Sequence, residues 1–189
     1  MAFLHSHRNG FPGGWHTDAP GLDNVIAIKT LNLDFVRRNG YVNMRCQWEP
    51  GCPDWVQPLR SADSEDPENL ERRMPEGWRA LFGEDSEVPN VIATPCCAQF
   101  AVSREQVLKR SLEEYEWYHQ WLMATEMSDG LSGRIFEYLW HVIFGMNPVY
   151  CPDVAQCYRD VYNREYNSTE WELERQQLID EWNSTQRVV

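Results

Sequence analysis

Three of the chain's five histidines fall within twelve residues, in the run His5, His7, Arg8, His16, Asp18. The residues between them are rich in Gly and Pro, so this is loop, and loops at strand ends are where α/β folds carry their chemistry. A strand has a side-chain period of two, so His5 and His7 would share a face, with His16 and Asp18 closing an acid/base or substrate-binding cluster, or a metal cluster. The plainer use of the same residues is a loop pinned by hydrogen bonds, with Arg8 paired to Asp18 or Asp23.

A second pair, Glu137 and His141, is spaced i,i+4 on an apolar helix, which would put carboxylate and imidazole on one face. Burial raises a Glu pKa and a neighbouring imidazolium lowers it, and opposed influences of that kind poise a general base. An ion pair filling a core is the structural use of the same two residues. Six cysteines stand as Cys46-x5-Cys52, Cys96-Cys97 and Cys151-x5-Cys157. Five intervening residues are wide for structural zinc, and a cytosolic chain keeps its thiols reduced, so buried or free thiols come first, with disulfides and zinc as alternatives. Cys96 and Cys97 read as small packing residues. The sequons at Asn167 and Asn183 matter only in a secreted protein.

The elements that must position these residues follow from pattern. Ala2 to His5 reads as a strand and Asp23 to Gly40 as one amphipathic helix with Val25, Ile28, Leu31, Phe35 and Val36 on one side. Tyr41 to Cys46 alternates as a strand, and 49–87 reads as loop with one helical turn near Trp78. Val91 to Ala93 and Ala98 to Val102 supply two more short strands. Ser103 with Gln106 opens a helix to about Thr125. Ser132 opens another to Gly145, apolar nearly all round and therefore buried. Thr169 with Glu172 opens a charged last helix with a thin apolar stripe that docks at an edge or on a partner. The resulting class is α/β, an open sheet of about four strands flanked by helices. Residues 1–166 form one domain with an acidic loop insertion at 61–88, and 167–189 form the C-terminal charged helix.

Composition narrows the function. A length of 189 residues fits one domain, and 42% hydrophobic with 13% aromatic residues excludes a disordered chain. No apolar run is long enough for a membrane span and no signal peptide opens the chain, which reads as soluble and cytoplasmic. The net charge of −12 argues against a broad phosphate-gripping surface, and residues 61–87 carry nine acids against three arginines, half of that excess. That segment reads as a solvated loop, or as a lip attracting a cationic substrate. The phosphate-loop, dinucleotide-binding, nucleophile-elbow and His-Glu-x-x-His motifs are all absent, which removes the corresponding enzyme classes.

Several longer strings carry a resemblance: Phe3-Leu-His-Ser-His-Arg-Asn-Gly-Phe-Pro12, Trp15-His-Thr-Asp18, Leu31-Asn-Leu-Asp-Phe-Val36, Asn39-Gly-Tyr-Val-Asn43, Pro50-Gly-Cys-Pro-Asp54, Ala93 to Arg104, and Gly133-Arg-Ile-Phe-Glu-Tyr-Leu-Trp-His141. Together, from about Phe3 to Tyr162, they look like the fungal family called domain of unknown function 3431, matching its C-terminal portion. The resemblance implies a partial glycosyltransferase-A-like fold, in which Phe100 to Arg104 lines the acceptor side and Glu137 is a helix-borne carboxylate. The family also resembles fungal arginine-containing cyclodipeptide synthases, which are associated with an Asp-Asp-x-x-Glu motif that this chain lacks. The expected function is accordingly group transfer in fungal secondary metabolism. Most concretely it is a tRNA-dependent synthase forming cyclo(Arg-Xaa) from aminoacyl-tRNA, and the alternatives are a metal-dependent nucleotide-sugar glycosyltransferase or a truncated, silent paralogue. Glu137 and His141 would be catalytic, and His5, His7, Arg8, His16, Asp18, Ser103 and Arg104 would bind substrate. No cofactor is required, though a divalent metal fits the alternative.

Overall fold

The computed structural model describes residues 1–60 and 66–186. The acidic residues Asp63 and Glu65 of the proposed lip lie outside them. The described chain is a mixed helical and sheet fold of eight α-helices around a small antiparallel sheet.

The sheet has three strands rather than four, β1 (Ala2–Phe3), β2 (Tyr41–Asn43) and β3 (Phe100–Val102), in the order β1-β3-β2. Val42 pairs with Ala101 and Asn43 with Phe100. The period of two divides the interior into two cores: Tyr41, Phe100 and Val102 face one, Val42 and Ala101 the other. Val91 to Ala93 does not become a strand; Ile92 bridges Val56 and Ala93 bridges Val149.

The helices also depart from the sequence pattern. The expected single helix from Asp23 to Gly40 is two, α1 (Asn24–Thr30) and α2 (Leu33–Asn39). Asn32 makes the break: its side chain accepts from the Phe35 N–H, and its own N–H and amide donate to the carbonyls of Val161 and Asp160. The stretch read as loop holds α3 (Leu70–Phe82), capped by Asn69 and burying Met74, Trp78 and Leu81 at helical spacing. The helix expected from Ser103 divides into α4 (Arg104–Val107) and α5 (Leu112–Ala124), the latter opened by a Ser111/Glu114 capping box. Next come α6 (Asp129–Ile143), capped by Ser128 rather than Ser132, and α7 (Val154–Tyr162), capped by Asp153. The last helix, α8 (Ser168–Gln186), is capped through Asn167 Oδ1, which accepts from Thr169 and Glu170 N–H. It docks on the N-terminal loop, where Gly21 N–H donates to Glu174 at 2.7 Å and Phe11 meets Trp182. No described helix is long and apolar enough to cross a membrane.

All six cysteines are paired, which corrects the reading of free thiols: Cys46–Cys157, Cys52–Cys151 and Cys96–Cys97. The first two close sequence separations of 111 and 99 residues and tie the segment entering and forming α7 onto the chain leaving β2. The third joins neighbours, so its constraint is wholly local.

Gly51 sets the position of that third disulfide. Its φ is 129°, and a Cβ there would lie 2.1 Å from the Thr94 carbonyl oxygen and 2.8 Å from Cys96 N. Gly51→Ala is therefore expected to cost about 2–3 kcal/mol, from strain in the backbone and displacement of the 94–97 turn. Urea unfolding checks it, and an unchanged midpoint would contradict the close approach.

Candidate functional site

The i,i+3,i+4 spacing of a helix puts Arg134, Glu137 and Tyr138 on one face of α6, where they line a cleft of about 310 Å³. Trp15 from the histidine-bearing loop and Trp55 and Pro50 from the segment after β2 supply its walls, with Leu70 at the start of α3. Cys96 and Cys97 complete it. Trp55 is half exposed, so the cleft opens to solvent.

The Glu137 carboxylate is fixed from one side. One of its oxygens accepts the Cys97 N–H at 2.6 Å, and the other accepts no hydrogen bond from the described residues. Arg134 beside it makes no ion pair among the described residues and is exposed. A carboxylate oriented by one backbone N–H, with an oxygen left open beside a cation, can accept a proton or hold a cationic group.

His141 is not its partner. The ring is fully buried, Nε2 donates to the Pro148 carbonyl at 3.0 Å, and Nδ1 has no partner among the described residues. Burial lowers its pKa to about 4. The structure therefore places the expected base in the cleft and the expected second member of the pair in the core.

The histidine loop reaches Glu137 by another route. His5 Nε2 donates to the Cys97 carbonyl at 2.7 Å, so a single residue, Cys97, joins His5 to Glu137. The His16 ring lies 4.1 Å from that of His5 and 4.9 Å from that of His7. The three do not converge on a metal: the His5 Nε2 is committed to Cys97, and the His7 Nε2 lies 3.1 Å from Thr17 Oγ1 within a network holding Asn24. Among the described residues the one group with three converging metal-ligand atoms is Cys96, Cys97 and Glu137. Burial, with like charge from His5, lowers the His7 pKa, and burial first, then His5, His7 and Arg45, brings His16 to about 4.

Asp18 and Arg8 do not pair. Asp18 is buried and accepts from the N–H groups of Cys46 and Gln47 at 2.5 and 2.9 Å. Burial raises its pKa, opposed by Arg45 and by those two N–H donors. Arg8 is exposed and lines a shallow groove with His7, Asn24 and Lys29, apart from the cleft. Ser103 is buried as the N-cap of α4, accepting from Gln106 N–H at 3.1 Å, and Arg104 is exposed; neither lines the cleft.

Arg45 went unread in the sequence. It is 1% exposed, stacks over Trp15 at 4.9 Å, donates to the Glu49 carbonyl, and leaves Nε and Nη1 without partners among the described residues. It backs the tryptophan that forms the cleft wall. The sequence signals for the missed cleft residues were Arg134-x-x-Glu137-Tyr138 on a helix and an adjacent cysteine pair after a proline.

The buried histidines predict a pH response. Both are neutral at neutral pH, and an unfolded chain takes up the proton at the ordinary value of 6.5. Stability is therefore full above that value and falls as pH drops from 6.5 toward 4. His141 alone accounts for about 2 kcal/mol by about pH 5. Melting curves recorded across that range should show the loss, and His141→Gln should flatten it; an unaltered slope in the variant would contradict the assignment.

A mixed helical and sheet domain with a disulfide-lined, aromatic-walled cleft over one carboxylate is the class that fold and site define. By its match over residues 1–160, the chain belongs to the family described as protein of unknown function (DUF3431). The match starts at residue 1, and of itself it supports neither a restriction to the family's C-terminal portion, nor a fungal source, nor glycosyltransferase-A kinship. No curated protein and no solved structure matches the chain.

Proposed function

We propose that the protein is a group-transfer enzyme whose reaction runs in the cleft over Glu137. The observation that carries this reading is the half-engaged carboxylate: the Cys97 N–H orients one oxygen and the other stands open beside Arg134. An O–H or N–H nucleophile placed against the open oxygen loses its proton to Glu137 as its bond to the donor's electrophilic carbon forms and that carbon's bond to the leaving group breaks, the electron pair departing with the leaving group. Arg134 takes the negative charge of the donor or of its leaving group. His141 takes no part in this mechanism, and His5 acts through Cys97 by holding the turn that orients the carboxylate.

The donor is best read as a nucleotide sugar and the acceptor as a saccharide. Flat indole faces from Trp15 and Trp55 suit the apolar face of a sugar ring, and a chain of net charge −12 is poorly matched to transfer RNA. Three disulfides persist best in an oxidising compartment, away from the cytoplasm that a tRNA-dependent reaction needs. The chain has no adjacent Asp pair, and the converging ligand group is two cysteines with Glu137. These residues do not form the oxygen-rich site that magnesium or manganese requires.

The cyclodipeptide reading keeps one observation in its favour: the open oxygen of Glu137 in the cleft can hold a guanidinium, which carboxylates grip through paired hydrogen bonds. There the nucleophile is the α-amine of an aminoacyl ester, and the released group is transfer RNA. One assay separates the two. Purified protein is given a panel of nucleotide sugars with and without manganese, and separately charged transfer RNA with and without ribonuclease. Donor hydrolysis or a glycosylated acceptor supports the first reading, and a ribonuclease-sensitive Arg-containing diketopiperazine supports the second. Inactivity in both arms would overturn the group-transfer proposal.

A further inference from the structure

We propose that Cys96, Cys97 and Glu137 become a site for a thiophilic divalent cation, zinc being the probe, once the Cys96–Cys97 disulfide is reduced. This does not rest on the group-transfer reading, since it concerns what the three side chains hold rather than what Glu137 does to a substrate. Their ligand atoms already lie within 4.8 Å of one another. The turn that carries them is pinned at four points besides the S–S bond: Cys96 N–H donates to Pro50 O at 3.0 Å, Asn43 Nδ2 to Pro95 O at 2.9 Å, His5 Nε2 to Cys97 O, and Cys97 N–H to Glu137. Opening the disulfide therefore leaves two sulfurs and a carboxylate facing one another across a fixed frame.

The chemistry of the donors selects the ion. Two thiolates and one carboxylate are a soft, sulfur-rich set that favours zinc or cadmium over magnesium or calcium. The Cys97 N–H already orients one carboxylate oxygen in the way an outer hydrogen bond orients a metal ligand, which leaves the other oxygen to bind. Three anionic ligands around a divalent cation leave one negative charge, and Arg134 on the same helix face lies beside it. The fourth coordination position faces the open cleft and can take water.

The redox step is balanced by a dithiol reductant. Thiol–disulfide exchange moves two electrons and two protons to Cys96 and Cys97, and the reductant becomes its own cyclic disulfide. Zinc then displaces the two thiol protons to solvent. This disulfide yields before the other two, because it closes no loop between distant parts of the chain, whereas Cys46–Cys157 and Cys52–Cys151 are reinforced by the fold across 111 and 99 residues. The turn also sits in left-handed backbone at two non-glycine residues, Cys97 with φ 83° and Ala98 with φ 48°, a conformation that the hydrogen bonds above maintain at a cost. Under the group-transfer reading, a bound cation would occupy the base and stop turnover, giving the cleft an oxidised working form and a reduced, metal-held form.

The test uses the full chain with its three disulfides formed. It is titrated anaerobically with a limiting dithiol, aliquots are alkylated and mapped by peptide mass, and the reductant is removed before calorimetric titration with zinc. Alkylation is expected first at Cys96 and Cys97. The species so reduced should bind one zinc, while the oxidised protein and C96S/C97S bind none, and Glu137→Gln should weaken binding by about tenfold or more. Glu137→Gln keeps both thiols, so it decides the matter if the double variant does not fold. Reduction starting at another pair would overturn the proposal, as would equal zinc binding by the oxidised and reduced forms, no zinc on the reduced form, or full affinity in Glu137→Gln. Loss of transferase activity in Glu137→Gln with zinc binding unchanged would sink this site alone.

Discussion

Replacing Cys46 and Cys157 together by Ser is expected to destabilise the protein by about 3–5 kcal/mol, a large share of what a domain of this size possesses. The bridge closes a separation of 111 residues, and both sulfurs lie in the core, Cys46 at 1% and Cys157 at 5% exposure. Reopening it restores loop entropy to the unfolded chain and leaves two hydroxyls in apolar surroundings beside Val42, Ala101 and Val161. The consequence extends to the site. The chain leaving β2 supplies Arg45 behind Trp15 and Pro50 under Cys96, so loosening it should slacken both walls of the cleft. Chemical denaturation of the wild type and C46S/C157S under non-reducing conditions measures the loss. C96S/C97S serves as the contrast, because its bridge closes no distant loop and its removal forfeits none of that entropy. Equal destabilisation by the two double variants would contradict this division of labour.

Glu137→Gln should lower turnover by about 10²–10⁴-fold while leaving the melting temperature nearly unaltered. The amide keeps an oxygen to accept the Cys97 N–H, so the turn and the α6 face persist, and only the capacity to take a proton is lost. Substrate affinity should change little, since walls and floor are intact; a larger rise in KM than fall in kcat would instead mark Glu137 as a binding group. His141→Asn supplies the comparison on the same helix. It should reduce stability through the bond to Pro148 without specifically reducing turnover per folded molecule.

What the sequence disclosed of this molecule was local, and what it concealed was long-range. Glu137 stood out because a carboxylate on an apolar helix asks for a reason, and the same periodicity correctly buried α6. Identical reasoning misassigned His141, because i,i+4 spacing says that two side chains can share a face and not which of them meets water. The break at Asn32 depends on carbonyls of α7, more than 120 residues away in sequence, so a continuous apolar period hid it. In α3 the interior Pro75 and the acidic neighbours masked the Met74, Trp78, Leu81 stripe. Ser111 with Glu114 was a readable capping box, overlooked because the apolar pattern runs through it. Cysteine pairing across 99 and 111 residues has no local trace, and the premise of a reducing compartment pointed away from it. Ser103 kept its predicted cap, but Gln106 turns its side chain to the Phe144 carbonyl instead of closing the box.

The proposed chemistry occupies one place in the molecule, the cleft between Trp15 and Trp55 over Glu137. A crystal structure of the Glu137→Gln protein with acceptor and an unreactive donor analogue tests this most directly. The acceptor's nucleophilic atom should lie within hydrogen-bond reach, about 2.6–3.2 Å, of the residue 137 side chain, with its ring against an indole and the donor's charged group toward Arg134. Ligands seated elsewhere, for example in the shallow groove of His7 and Arg8, with this cleft left to solvent, would contradict it.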